Sequence, residues 1–249
     1  MSNDLSGKTA LITGSTSGIG RTIALLLASQ GAHVIVSGRD AERGADTVAR
    51  ITSAGGEADF VGADLNDLTS VANLATQAAA AGNGRVDILV NAAGIYPFAP
   101  SVELTPQQFD DIYNLNVKAP FFLTTALAPA MAERGEGVVV NVSTTLATKG
   151  IAGASLYASS KAAVETLTKV WAAEFGPSGV RVNAVSPGPI ATEGTAPFGD
   201  GLSVFHEGTP ANRVGQPEEI AAAISFLISD DAKYIHGVIL PVDGGASTL

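Results

Sequence analysis

Seven short apolar runs rich in β-branched residues punctuate this chain, and stretches of helical character separate them. They span residues 9–13, 33–37, 58–61, 86–90, 137–143, 180–186 and 238–240. Short runs without polar alternation read as strands buried on both faces. Strands alternating with helices predict an α/β fold: a doubly wound, seven-stranded parallel sheet, helices on both faces, right-handed crossovers. The chain has 249 residues, 46% of them hydrophobic, and carries no repeat or linker, so one domain over 1–249 is expected.

The first run enters Gly14-Ser15-Thr16-Ser17-Gly18-Ile19-Gly20, and a helix over 21–30 follows, closed by Gly31. Strand, glycine turn and helix together cradle a pyrophosphate: glycines admit the backbone, and the helix start presents free N–H groups and a positive dipole end. The spacing G-x-x-x-G-x-G is neither the common dinucleotide fingerprint nor a P-loop, and an ordinary glycine turn is the alternative. The second run ends at Gly38-Arg39, where an acid would hold the ribose hydroxyls of NAD. Arginine can fork onto a 2′-phosphate. NADP(H) is therefore favoured and NAD(H) stays open, because Asp40 could pair with Arg39 and Ser17 brings no second cation. The fourth run leads into Asn91-Ala92-Ala93-Gly94, small residues that leave room for a ligand, although Asn91 could simply cap a loop.

Tyr157 and Lys161 stand four apart in a predicted helix and so share one face. A phenol titrates near 10. An ammonium about 4 Å away is worth about 4 kcal/mol at an effective dielectric of about 20, enough to bring the phenol toward neutrality. The alternative is a surface Tyr beside a solvated Lys. A long helix opening at Thr105-Pro106 and ending near 133–135 carries Asn114 and Asn116 in its middle, where Asn is locally unfavourable. Such a violation marks a site or a solvent-facing residue. Residues 189–215 are Gly-, Pro- and Thr-rich with isolated Phe198, Leu202, Val204 and Phe205, a composition suited to a substrate lid.

The formal net charge of −10 argues against nucleic acid and against an anionic membrane surface. With no Cys there are no disulfides or thiolate sites, and His33, His206 and His236 are too scattered for a metal. The start, Met1 to Leu5, resembles no signal peptide, and no apolar run reaches membrane-spanning length, so a cytoplasmic location is expected. No Gly-x-Ser-x-Gly elbow marks a hydrolase.

Thr13-Gly14-x-x-x-Gly18-Ile19-Gly20, Asn91-Ala92-Ala93-Gly94, Asn116, Tyr157-x-x-x-Lys161 and Pro187-Gly188, in this order, resemble the short-chain dehydrogenase/reductases over nearly the whole chain. The resemblance implies a single-domain Rossmann-type enzyme that interconverts a ketone and a secondary alcohol. In it Tyr157 would be the general acid or base, Lys161 would lower its pKa and bind the nicotinamide ribose, and Asn116 would hold a water. Gly14, Thr16, Ser17, Gly18, Ile19 and Gly20 would wrap the pyrophosphate and adenosine. Asp64 and Leu65 would meet the adenine, and Asn91, Ala92, Ala93 and Gly94 the ribose. Pro187, Gly188, Ile190 and Thr192 would hold the nicotinamide. Arg39 would go with NADP.

The family's catalytic Ser falls at position 144, which is Thr here, with Ser143 one residue early. Thr144 is favoured for that hydroxyl over Ser143. The substrate is expected to be a small, neutral carbonyl or alcohol, in a pocket shaped by Ile95, Tyr96, Thr145, Leu146, Gly153, Leu156 and Pro189. Alternatives are an NAD-dependent polyol or sugar dehydrogenase, a 3-oxoacyl-thioester reductase and a non-catalytic dinucleotide sensor. The resemblance also implies a homotetramer, with 119–122 and 170–173 offering apolar surface.

Overall fold

A computed structural model describes residues 3–197, 199 and 207–248; Phe198, Leu202, Val204, Phe205 and His206 lie outside the described residues. The strands are β1 (Thr9–Thr13), β2 (His33–Gly38), β3 (Glu57–Gly62), β4 (Ile88–Asn91), β5 (Gly137–Val142), β6 (Val180–Pro187) and β7 (Ile239–Val242). They form one sheet in the order β3-β2-β1-β4-β5-β6-β7, every pair parallel. Ile12 of β1 is in register with Val36 on one side and Val90 on the other, so the chain reverses its winding between β1 and β4. Ligands of such sheets bind at the carboxyl ends of the strands beside that reversal.

Alternating side chains divide the core in two. Ala10, Ile12, Val34, Val36, Val90 and Val140 face α1 (Gly18–Ser29), α2 (Ala41–Ser53) and α7 (Pro217–Ile228). Leu11, Ile35, Leu89 and Val139 face α3 (Leu68–Ala81), α5 (Ala119–Arg134) and α6 (Ser155–Phe175). Asp67 caps α3 from its side chain, and Thr105 forms a capping box with Gln108 at the start of α4 (Pro106–Tyr113).

Local geometry shifts several boundaries. Helix α1 begins at Gly18 rather than after Gly20, which places two of the glycines in its first turn. Strand β4 begins at Ile88, because the Asp87 side chain accepts from the Thr9 N–H at 2.8 Å. The long helix is interrupted: a π-helical turn, Asn114–Lys118, joins α4 to α5. The apolar segments expected to mediate assembly are split by burial. Ala119 and Trp171 belong to the core, whereas Phe122 (44%) and Val170 (43%) are exposed. Among the described residues no helix is long and apolar enough to cross a membrane.

Candidate active site

The predicted site residues gather along the carboxyl edge of the sheet. Gly14 and Gly20 close the turn after β1: a Cβ on Gly14 would lie 2.8 Å from Ala93 Cα, and one on Gly20 would overlap the Gly14 carbonyl oxygen. The bare backbone is required there by contact. Thr16 is buried against Gly38, and Ser17 precedes α1 without capping it through its side chain. The Gly18 N–H donates to Glu193 Oε2 at 3.0 Å, and the same carboxylate pairs with Arg21. The Gly18 N–H at the start of α1 thus donates to an anionic oxygen, as a helix N-terminus is suited to do. This turn fits a dinucleotide pyrophosphate.

Arg39 follows β2 and is exposed. Asp40 does not neutralise it: that carboxylate caps α2 and binds Arg43, Nε to Oδ2 at 2.6 Å. Among the described residues Arg39 makes no ion pair. Asp64 is exposed and accepts from the Asn66 N–H at 3.1 Å, whereas the Leu65 side chain is in the core with Val71 and Leu74. Asn91 departs from the expected ribose contact. Its side chain is 3% exposed and donates to Asn141 Oδ1 at 2.9 Å and Thr124 Oγ1 at 3.3 Å, tying β4 to β5 and α5 from inside.

Asn116 is fully buried in the π-helical turn. Its Nδ2 donates to the Ile95 carbonyl at 2.9 Å and Ser160 Oγ at 3.0 Å, and its Oδ1 accepts from the Ile95 N–H at 3.0 Å. An Asn here is neither solvent-facing nor misplaced: it clamps the segment after β4 against α6. Its Oδ1 accepts one of the two hydrogen bonds an amide oxygen can take, on the side of Gly94 that Lys161 Nζ also approaches.

Tyr157 and Lys161 occupy successive turns of α6. The Lys161 ammonium is 5% exposed and donates to the Val142 carbonyl at 2.8 Å. Burial lowers its pKa to about 8. Burial also dominates at Tyr157 and pushes the phenol up to about 12, against a downward pull from a hydrogen bond with the Thr144 side chain. The protein alone therefore keeps the phenol protonated, with burial as the main cause. Ser143, by contrast, donates its hydroxyl to Glu165 Oε1 at 2.7 Å. A hydroxyl has one proton to donate, and Ser143 has spent it away from Tyr157. Thr144 is extended (φ −163°, ψ 150°), so the two neighbouring side chains diverge.

A cavity of about 460 Å³ opens in front of Tyr157. It brings together Ile19, Ala92, Gly94, Ser143, Thr144, Tyr157, Lys161, Pro187, Gly188, Ile190 and Thr192 from the predicted set. Gly94 is close enough to the lysine that a Cβ there would meet Lys161 Nζ at 3.3 Å. Thr195 organises the segment after β6 by donating to the Ile190 carbonyl at 2.8 Å and accepting from the Thr192 N–H at 2.9 Å. Tyr96, Thr145, Leu146 and Pro189 line the wall as anticipated; Ile95, Gly153 and Leu156 do not. Phe98, Lys149, Ile151 and Ala246 also line it and were not singled out from the sequence, whereas Glu207 and Thr209 come from the segment expected to form the substrate lid. Lys149 and Glu207 add charged side chains to this wall. They reach it from loops, which carry no periodic signal.

Known proteins resemble this chain in sequence and fold. A family model described as enoyl-(acyl carrier protein) reductase matches residues 14–247. The chain is 39% identical to the D-threitol dehydrogenase of Mycolicibacterium smegmatis, covering 97% of this chain and 93% of the relative. A solved structure described as a short chain dehydrogenase/reductase family protein superposes with a TM-score of 0.92 at 48% identity, over 99% of this chain and 100% of the other. A short chain dehydrogenase from Burkholderia cenocepacia J2315, in complex with NADP, does so with a TM-score of 0.91 at 36% identity, over 98% and 99%. This chain belongs to the short-chain dehydrogenase/reductase family, and it is an oxidoreductase acting on CH–OH donors with NAD(P).

Proposed function

We propose that the enzyme is an NADP(H)-dependent oxidoreductase that interconverts a ketone and a secondary alcohol, with Tyr157 moving the proton and Thr144 holding the reacting oxygen. The observation that carries this reading is that the Tyr157 phenol and the Thr144 hydroxyl line the same cavity as the buried Lys161. A substrate oxygen between these two hydroxyls meets a proton donor on one side and an orienting donor on the other. Burial keeps the phenol protonated, ready to act as the acid in carbonyl reduction. Lys161 provides the positive charge that a phenolate leaves in need of compensation. The bound coenzyme supplies or takes up the hydride and, when oxidised, adds a second positive charge.

Free Arg39, with Asp40 engaged by Arg43, supports NADP over NAD, as does the NADP complex of the relative from B. cenocepacia. The D-threitol dehydrogenase relative supports a second reading, an NAD-dependent polyol dehydrogenase. Comparing kcat/KM for NADPH and NADH separates the two. Homotetramer assembly through α5 and α6, on Phe122 and Val170, completes the proposal, and light scattering after size exclusion tests it.

The central test follows NADPH absorbance with a panel of ketones. Tyr157→Phe should lower kcat/KM by about 10²–10⁴-fold while NADPH still binds. Thr144→Ser should retain activity where Thr144→Val loses it. A phenylalanine variant working at the parental rate would overturn the assignment.

A further inference from the structure

Helix α6 meets the end of β5 along an unusual seam. Three consecutive residues at the strand end are each tied to that helix: Asn141 Nδ2 to Thr168 Oγ1 at 2.9 Å, the Val142 carbonyl to Lys161 Nζ at 2.8 Å, and Ser143 Oγ to Glu165 Oε1 at 2.7 Å; Thr144, the next residue, lines the cavity with Tyr157. The helix residues 157, 161, 165 and 168 recur at helical spacing, so a polar stripe faces the sheet where an apolar one would serve stability better. Glu165 is 8% exposed, and Ser143 is the partner of its carboxylate among the described residues. A buried carboxylate is costly to keep, and a hydrogen-bonded polar seam fixes one register where apolar packing tolerates several.

We propose that Glu165 is a positioning residue of this enzyme: by holding the Ser143 hydroxyl it turns the end of β5 so that Thr144, and not Ser143, faces Tyr157. The proposal rests on the proton-transfer reading above. It also accounts for a chain that carries Thr at the hydroxyl position beside an intact Ser. With its one proton held by Glu165, Ser143 has none to offer a substrate oxygen in the cavity that both residues line, and the extended Thr144 presents the other hydroxyl there. Without the lock, rotation of the strand end would misplace the Thr144 oxygen, and misplacement on the scale of 1 Å is enough to slow a reaction about 10²-fold.

The test compares Glu165→Leu, Glu165→Gln, Ser143→Ala and the Ser143→Ala/Glu165→Leu pair. Glu165→Leu should lower kcat about tenfold while KM and the dissociation constant for NADP⁺ stay within about twofold. Glu165→Gln, whose amide oxygen still accepts from Ser143, should restore it. Ser143→Ala should match Glu165→Leu, and the double variant should lose no more than either alone. A second readout does not depend on turnover. Phenolate absorbance of the NADP⁺ complex, wild type minus Tyr157→Phe, gives the Tyr157 titration, which should move upward in Glu165→Leu as the Thr144 hydroxyl is displaced from the phenol. A role limited to stability would lower the melting temperature and leave this titration in place. The proposal is overturned by a Leu variant that titrates and turns over like wild type, by a Gln variant as impaired as Leu, or by additive losses. Should Glu165→Leu not fold, Glu165→Gln and Ser143→Ala decide it. If wild type reduces no carbonyl in the panel, the proposed function falls, and the titration still answers for Glu165.

Discussion

Replacing Lys161 by Met should stabilise the coenzyme-free fold at neutral pH and lose that advantage as the solution becomes alkaline. The ammonium is 5% exposed, and burial takes its pKa from the ordinary 10.5 down to about 8. Between those values the unfolded chain holds a proton that the folded chain has released. Wild-type stability therefore climbs as pH rises from about 8 to 10.5, and the full cost of burying the charge applies below about 8. A change of one pH unit in a pKa is worth about 1.4 kcal/mol, so that cost is about 3 kcal/mol at pH 7. Met removes the charge at similar volume. It also removes the donor to the Val142 carbonyl, and a buried acceptor left without its partner costs about 1–2 kcal/mol. The variant should therefore gain about 1–2 kcal/mol at pH 7 and fall below wild type by a similar amount near pH 10.5. Titration of Tyr157, raised to about 12, acts in the opposite direction above pH 10, but both proteins share it and the difference cancels it. Urea unfolding of both proteins at pH 7, 8.5 and 10 measures the difference. A gap between them that does not change with pH would refute a charged, buried ammonium as its origin.

Arg39→Asp should move coenzyme preference from NADPH toward NADH by about 10–100-fold in kcat/KM, because one charge-assisted interaction is worth about 1.5–3 kcal/mol; an unchanged ratio would remove Arg39 from the site. Gly20→Ala should destabilise by about 1–3 kcal/mol in chemical unfolding and weaken NADPH binding by titration, since its Cβ would overlap the Gly14 carbonyl oxygen. Arg181→Met should cost about 2–4 kcal/mol without changing KM, because the buried guanidinium holds the carbonyls of Leu227 (2.5 Å), Ile228 (2.7 Å), Ser229 (3.2 Å) and Ala232 (3.2 Å) at the end of α7; thermal unfolding checks it.

Seven strand runs, the helices between them and the single sheet were legible from residue order, because local periodicity states which element forms and burial on both faces states that the sheet is parallel. The glycine turn and the Tyr157–Lys161 pair were legible for the same reason: their spacings act within one turn or one helix. What only tertiary structure decided lies between elements. Asn116 looked like a flaw in a helix until its partners, Ile95 and Ser160, arrived from two other segments. Asp40 could pair with Arg39 until α2 formed and Arg43 took it. Lys149 and Glu207 reach the cavity from loops without any repeating pattern. Adjacent hydroxyls at 143 and 144 are equivalent in composition, and only the helix packed across β5 separates them, because orientation belongs to the pair of elements and not to either alone.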